Sequence, residues 1–307
     1  MSTPLVVAIV GATATGKTAV AEIVAGALDG EVVCADSRQV FRELEIGTGK
    51  PDPAQRAGRP HHLFDALGLG ERPSAGWYAR AAAARCAAIH ERGAVPLLVG
   101  GSGLWLRAAR DGLSGEPPHD AALRARLRER LEREGPESLH ASLVKVDPAT
   151  AARLSPRDRQ RITRALEVHA ASGRALSWWH DRAGTPAVAG EWRTFELTLD
   201  TGALDQRIAR RTRWMFDSGL IEETRALVAS GHGRALRDLR AVGYDEALDL
   251  LAGRLARDEA ETHTTLRTRR LAKRQRTWFR HQMESVRLDA DVGQAALARA
   301  ILDRLAH

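Results

Sequence analysis

Residues 5–10 form an unbroken apolar run that stops at Gly11, and residues 18–28 then repeat apolar positions at helical spacing. A second short apolar run covers 31–35. The Ala-rich stretch 79–92 has helical spacing, and 95–99 is a third apolar run ending at Gly100 and Gly101. Runs this short and this uniformly apolar are strands buried on both faces. Their alternation with helices predicts a parallel sheet flanked by helices. Gly, Ser and Pro between Gly112 and Pro118 mark a boundary. Beyond it, 121–134, 136–143 and 156–172 read as helices with no strand between them. Residues 184–190 are a loop, and 194–199 alternate as a strand does. Helices follow at 203–218, 221–230, 245–252 and about 257–285. The prediction is an α/β core over 1–115 and 190–307, interrupted by an all-helical insertion over 116–189.

The chain has 307 residues, 44% apolar and 28% charged, values that argue against wholesale disorder. No apolar run approaches the roughly 18 residues of a membrane span. The opening segment lacks a basic flank and reads as a buried strand, not a signal peptide. Two cysteines, Cys34 and Cys86, exclude a disulfide framework and a four-cysteine zinc site. A cytoplasmic monomer is the expectation. The net charge of +7 is concentrated. Between Thr262 and Met283 there is no acid, and Arg267, Arg269, Arg270, Lys273, Arg274, Arg276 and Arg280 match the whole formal excess. Arg269, Lys273, Arg276 and Arg280 share one stripe of a helix, a form suited to phosphates. Trp278 and Phe279 beside it read as anchors to the core. Only Lys17, Lys50, Lys145 and Lys273 are lysines, against 42 arginines, which suggests a need for the compact ammonium where Lys is kept.

Residues 11–18, GATATGKT, fit G-x-x-x-x-G-K-[ST] between a predicted strand and a predicted helix. Gly11 and Gly16 permit the turns that aim the N–H groups of Ala12, Thr13, Ala14 and Thr15 into one concavity, and the helix N-terminus adds positive potential. Lys17 supplies a point charge, and Thr18 offers a hydroxyl to Mg²⁺. This is a P-loop of the nucleotide-binding type, and ATP or another di- or polyphosphate satisfies it equally. The second strand ends at Asp36, where a carboxylate can bind metal, accept a proton or cap a helix. The third ends in GGSGLWL at 100–106, where Gly100 and Gly101 allow close approach of a ligand and Ser102 presents a hydroxyl. Ligands of open α/β sheets bind at the carboxyl ends of strands, so three strand ends converge. His61 and His62 have no further ligands nearby and read as structural.

These residues resemble the tRNA dimethylallyltransferase family. The motifs occur in order: GATATGKT (11–18), DSRQVFRELEIGTGKP (36–51), HHLFD (61–65), GGSGLWL (100–106), QRITRALEV (160–168), GLIEE (219–223), AVGYDE (241–246) and KRQRTWFR (273–280). They cover roughly residues 5–285. Ser102 stands where the family usually has Thr, Trp105 and Phe41 where it has Tyr, and Ala12 where it has Pro.

The resemblance implies a P-loop NTPase-like core and transfer of a dimethylallyl group from its diphosphate to N6 of adenosine 37 of tRNA, with Mg²⁺ as cofactor. It implies that Asp36 accepts the amine proton and that Ser102 bonds the bridging oxygen of the diphosphate. Arg207 and Arg211, four apart on a helix, would contact the diphosphate, although a solvated basic face has the same spacing. The anticodon stem-loop would meet Asp36, Ser37, Arg38, Gln39 and Ser102. It would also meet Arg124, Gln160, Arg161, Ile162, Thr163 and Arg164 of the insertion, with Arg157 on the same basic face. In the C-terminal half the implied contacts are Arg240, Gly243, Tyr244, Lys273, Arg274, Gln275, Arg276 and Arg280. Competing readings are a P-loop small-molecule kinase, an adenylate isopentenyltransferase acting on free nucleotide, and a non-enzymatic RNA-binding protein.

Overall fold

The computed structural model describes residues 3–113, 115, 120–182 and 184–306. The predicted boundary at 115/116 and the Pro118 that closes the boundary segment therefore touch residues outside this set. The chain divides into two compact units, 1–110 with 187–307, and 111–186.

In the first unit, six strands form one sheet: β1 (Leu5–Gly11), β2 (Gly30–Cys34), β3 (His61–His62), β4 (Val95–Gly100), β5 (Glu191–Thr198) and β6 (Val286–Asp289). The order is β3-β2-β4-β1-β5-β6 and every pairing is parallel. Central β1 pairs Val7 with Leu97 of β4 and with Arg193 of β5. Its side chains alternate between two buried clusters. Val6, Ala8 and Val10 enter one, Val7 and Ile9 the other. Burial on both faces is why β1 is apolar at every position.

Helices α1 (Lys17–Ala27), α2 (Pro53–Ala57), α3 (Ala75–Glu91) and α4 (Gly103–Arg110) connect the first strands. The second unit holds α5 (Ala121–Val146), α6 (Pro148–Ala151), α7 (Arg159–Ser172) and α8 (Leu176–His180). The first unit resumes with α9 (Thr201–Asp217), α10 (Leu220–Ala229), α11 (Gly233–Leu239), α12 (Tyr244–Leu251), α13 (Arg257–Gln282) and α14 (Gln294–Leu305). Residues of α1, α9 and α14 cover one sheet face, and those of α3, α4, α10 and α12 the other. The chain steps from β1 past β4 to β2, returns to β4, and only later crosses to β5. The loops after β1 and β4 thus flank a point where strand order reverses, the usual place for a ligand crevice.

The second unit has its own core, centred on Leu139, Leu143, Ile162, Ala165 and Val168. Its long α5 is two helical segments. Gly135 (φ 79°, ψ 163°) precedes Pro136 and breaks the run where the sequence predicts two helices. The predicted end of this unit at 189 is corrected to 186. The amides of Ala187 and Val188 both donate to the Ala109 carbonyl, and Val188 is buried in the core of the first unit. Strands β3 and β6 and helices α2, α4, α6, α8, α11 and α14 were not predicted. In β6 only Leu288 of four residues is buried, so it carries no apolar alternation.

Candidate active site

The loop after β1 is drawn shut by side chains that return to its own backbone. Thr15 Oγ1 and Lys17 Nζ donate to the Ala12 carbonyl at 2.9 and 2.7 Å. Gly11 has φ 138°, and a Cβ there would lie 2.5 Å from the Leu197 carbonyl oxygen, so only glycine fits. Ala14 holds a left-handed φ of 66°, a conformation costly for a residue with a Cβ. Gly16 is the N-cap of α1, whose first turn has neither a side-chain cap nor an acid. The helix N-terminus is thereby left to an anion.

The loop borders a cavity of about 1130 Å³. Thr13, Ala14, Gly16, Lys17 and Thr18 line it, together with Asp36, Ser102, Arg207 and Arg211. The three strand ends named by sequence therefore meet in one place. Asp36 begins a turn and caps no helix: its Oδ1 accepts the Arg38 amide at 2.8 Å. Ser102 Oγ accepts the Ser37 amide at 2.9 Å, tying the ends of β4 and β2 together. Enclosure lowers Lys17 from the ordinary 10.5 to about 8, against the opposing pull of the Asp36 carboxylate and with a small push from Arg211.

The arginine pair on α9 faces this cavity, not solvent. Arg211 donates to Thr13 Oγ1 at 2.9 Å and to the Thr48 carbonyl at 2.8 Å, and loss of hydration depresses its pKa. A Cβ on Gly49 would sit 2.4 Å from Arg211 Nη2, so this glycine makes room for the guanidinium. Arg207 donates to the Ala290 carbonyl at 3.1 Å. Gln39 donates to the carbonyls of Thr48 and Gly49 at 3.2 and 3.1 Å, and Arg38 to that of Leu239 at 3.0 Å.

Gly100 and Gly101 line the cavity, and each also makes room for a neighbour within the protein. A Cβ on Gly100 would lie 2.1 Å from the Ala35 carbonyl oxygen, and one on Gly101 2.3 Å from Gln275 Nε2. Gly103 likewise accommodates Trp278. The stripe Arg269, Lys273, Arg276 and Arg280, expected to meet RNA phosphates, lies off the face of α13 that lines the cavity. That face presents Thr264, Arg267, Thr268, Leu271, Arg274 and Gln275, with Arg270 beside them. Arg269 instead pairs with Asp205 at 3.3 Å, and Arg276 donates to Thr201 Oγ1 at 3.0 Å. Both arginines had the right spacing, but their partners come from remote sequence. Lys273 and Arg280 are exposed.

Gln275, expected to face RNA, spends its amide on backbone. Its Oε1 accepts the Thr13 N–H at 2.9 Å and its Nε2 donates to the Gly101 carbonyl at 3.0 Å. Tyr244 is fully buried, accepting from the Gly47 amide and donating to Glu223. Gly243 is the N-cap of α12, and Arg240 is an exposed cavity residue. Phe279 is buried and Trp278 partly so, as anchors would be. The two histidines are taken up by carboxylates, His61 by Glu22 and His62 by Glu31. Trp105 stacks on Tyr78 with ring centroids 4.7 Å apart.

In the second unit, Ile162 lies in the unit's own core, and Thr163 is buried with its hydroxyl donating to the Arg159 carbonyl at 2.6 Å. Arg124 and Arg164 both pair with the fully buried Glu167, at 3.3 Å each. Gln160 and Arg161 are exposed. Arg157 precedes α7 and pairs with Glu137, so it does not belong to that helical face.

Sequence reasoning missed Arg267, Arg270 and the carbonyl of Thr48 as parts of this wall. The acid-free character of 262–283 was the available signal, but spacing alone could not select the face.

A parallel α/β sheet with a P-loop at its strand-order reversal and cations converging on one crevice defines a P-loop protein built to hold a phosphorylated ligand. The family model described as IPP transferase matches residues 39–282, and one described as isopentenyl transferase matches 4–63. The chain belongs to the IPP transferase family. It is 43% identical over 304 residues to tRNA dimethylallyltransferase 1 of Mycobacterium marinum, covering 96% of this chain and 95% of that protein. It is 44% identical over 298 residues to tRNA dimethylallyltransferase of Salinispora arenicola, covering 96% and 85%. The crystal structure of a tRNA isopentenylpyrophosphate transferase from Bacillus halodurans superposes with a TM-score of 0.71 at 34% identity, over 99% of this chain and 96% of that one.

Proposed function

We propose that this protein transfers a dimethylallyl group from dimethylallyl diphosphate to N6 of adenosine 37 in tRNA, giving N6-isopentenyladenosine and diphosphate. The observation that carries the reading is the convergence of the P-loop, Asp36, Ser102, Arg207 and Arg211 on one cavity, in a chain 43% identical to a named tRNA dimethylallyltransferase. The uncapped N-terminus of α1, Lys17 and the two arginines supply positive potential for a diphosphate. As the allylic C1–O bond breaks, its electron pair goes to the diphosphate, and these groups stabilise the growing charge. The N6 lone pair forms the new C–N bond. The amine proton leaves to Asp36, which its bond to the Arg38 amide orients. The Ser102 hydroxyl hydrogen is directed at the bridging oxygen of the leaving group, while its oxygen holds the Ser37 amide.

Thr18, exposed on the cavity wall, offers the hydroxyl that would hold Mg²⁺, and the ion would supply charge neutralisation at the diphosphate. Among the described residues no trio of His, Cys, Asp or Glu side chains forms a metal cage. The adenine must leave the anticodon stack to reach Asp36. Arg274 and Arg270, exposed on the cavity wall, are the cations placed to hold the flanking phosphates, whereas Arg267 is paired with Asp245 and Glu246 at 2.9 and 2.6 Å. Two free, buried cysteines suit a reducing cytoplasm, and no described helix is long and apolar enough to cross a membrane. We assign a monomeric state.

The test is to incubate the protein with labelled dimethylallyl diphosphate, Mg²⁺ and tRNA, AMP or ATP. Label in tRNA alone supports the proposal. Label in AMP identifies a nucleotide isopentenyltransferase. ATP hydrolysis without prenyl transfer identifies a kinase-like enzyme and overturns the proposal.

A further inference from the structure

Gln275 joins three parts of the molecule that are distant in sequence. It sits on α13 between Lys273–Arg274 and Arg276. Its Oε1 accepts the Thr13 N–H of the phosphate loop at 2.9 Å, and its Nε2 donates to the carbonyl of Gly101, next to Ser102, at 3.0 Å. Thr13 is held a second time, through its hydroxyl, by Arg211 at 2.9 Å. The seat for the amide is shaped. Gly101 has no left-handed φ, so its backbone would tolerate a side chain, yet a Cβ there would lie 2.3 Å from Gln275 Nε2. Three residues further along α13, Trp278 fills the space that a side chain at Gly103 would need. The cation-rich helix is therefore keyed into the loop after β4 at two consecutive turns, and at one of them it also holds a backbone N–H of the phosphate loop.

We infer that Gln275 is a positioning residue that couples the two substrates: engagement of RNA by α13 steadies the phosphate loop through Gln275, so that RNA and donor each bind more tightly when the other is present. The inference rests on the proposed function for the identity of the two ligands. Its physical content is a linkage. RNA restrains α13, α13 carries Gln275, and Gln275 fixes the Thr13 amide and the strand end bearing Ser102. A diphosphate then meets a loop that is already ordered, and less of its binding energy is spent on ordering it. Coupling of this kind is reciprocal, so the same factor appears in the RNA affinity. An amide is required because one end must accept from an N–H while the other donates to a carbonyl. Glu offers no donor, and Met offers neither a donor nor a strong acceptor.

The experiment measures the affinity of inorganic diphosphate, with Mg²⁺, in the presence and absence of an anticodon stem-loop RNA. It compares the parent, Gln275→Met, Gly101→Ala, and both Gln275→Ala and the Gly101→Ala/Gln275→Ala pair. The parent is expected to bind diphosphate about tenfold more tightly with RNA bound, within the usual range for coupled sites. Gln275→Met is expected to lose that factor while keeping its melting temperature and its RNA affinity in the absence of diphosphate. Gly101→Ala, which dislodges the amide while leaving the sequence of α13 unchanged, is expected to lose it too. In the Gln275→Ala background, Gly101→Ala should cost much less, because the 2.3 Å collision is gone and only a 3.2 Å approach to the Gly11 carbonyl oxygen remains. In turnover, the loss falls on KM for the donor at saturating RNA and much less on kcat. Absence of coupling in the parent, retained coupling in Gln275→Met, or an equal cost of Gly101→Ala in both backgrounds would overturn the inference. Prenyl transfer to tRNA by the parent is scored separately. If it occurs and Gln275→Met couples normally, only the coupling role falls. If it fails, the proposed function falls first.

Discussion

Lys50 Nζ donates to Asp65 Oδ1 at 2.6 Å from a side chain with no solvent exposure. The same ammonium donates to the carbonyl oxygens of Phe41 and Arg42, at 2.8 and 3.4 Å, and to Glu45 Oε1 at 3.3 Å. Four acceptors around one nitrogen fold the segment from Phe41 to Lys50 onto the segment that follows β3. The neighbouring Thr48 and Gly49 carbonyls then hold Arg211 and Gln39. Four acceptors gathered about one point suit a compact ammonium better than a planar guanidinium fork, which is a physical reason for one of four lysines in an arginine-dominated chain.

Lys50→Met is therefore expected to destabilise the fold by about 1–3 kcal/mol, since the buried Phe41 carbonyl loses its ammonium donor while Asp65 and Glu45 keep access to solvent. Chemical denaturation of parent and variant measures this. A loss below about 1 kcal/mol would mean that water replaces the ammonium. Lys50 and Arg56 hold the Asp65 carboxyl below the ordinary carboxylate range, against the opposing effect of burial. The stability this contributes is full above the ordinary Asp range. It is lost as pH falls through the depressed native value. Lys50→Met should flatten that acid limb of the stability profile.

Asp36→Asn keeps the shape of the turn, because an amide oxygen can still accept the Arg38 N–H now bonded at 2.8 Å. What it removes is the capacity to take the amine proton. Prenyl transfer should slow by roughly 10²-fold or more, with tRNA affinity nearly unchanged. Single-turnover rates and RNA binding measured on the same preparation separate the two effects. An unaltered rate would deprive Asp36 of its role.

Lys17 gives a pH signature. Its native pKa of about 8 lies below the ordinary 10.5, so between those values the unfolded chain binds the proton and the native protein does not. From this residue, stability rises with pH across that interval. Ligand binding runs the other way. A diphosphate needs the ammonium, so above pH 8 its binding must take up a proton, and affinity should fall by up to about tenfold per pH unit. Titration calorimetry at several pH values in parent and Lys17→Met isolates this contribution from the ionisation of the ligand itself. Parallel pH profiles would place the ammonium away from the anion.

Much of the core was legible because its strands are buried on both faces. Val6 to Val10 leave no polar position to blur the run, and the P-loop signature follows directly. Strand β3 has two residues and β6 is exposed at three of four positions, so neither leaves an apolar trace. The site was legible at its strand ends and misleading on α13. Arginines lie around the helix, and their spacing cannot say which are neutralised by remote partners such as Asp205. Gln275 shared a basic neighbourhood and was grouped with it. Its partners, Thr13 and Gly101, lie 262 and 174 residues away, and no local pattern announces them. The spaces at Gly101 and Gly103 had the same cause: both glycines serve α13.

The partners of the α13 arginines set which charges should matter to RNA. Arg274 lines the cavity from an exposed position, whereas Arg276 is half-buried and already donates to Thr201 Oγ1. A phosphate contact by Arg274 displaces counterions from RNA, and each such contact contributes about 0.7 to the slope of log affinity against log salt for a single strand. Arg274→Gln should therefore weaken anticodon stem-loop binding and reduce the slope by about 0.7. Arg276→Gln should leave the slope close to that of the parent. Binding isotherms at four salt concentrations for the three proteins test both statements. If Arg276→Gln flattens the slope and Arg274→Gln does not, RNA follows the stripe of Lys273 and Arg276 along the helix, and the cavity-lining face of α13 serves the donor alone.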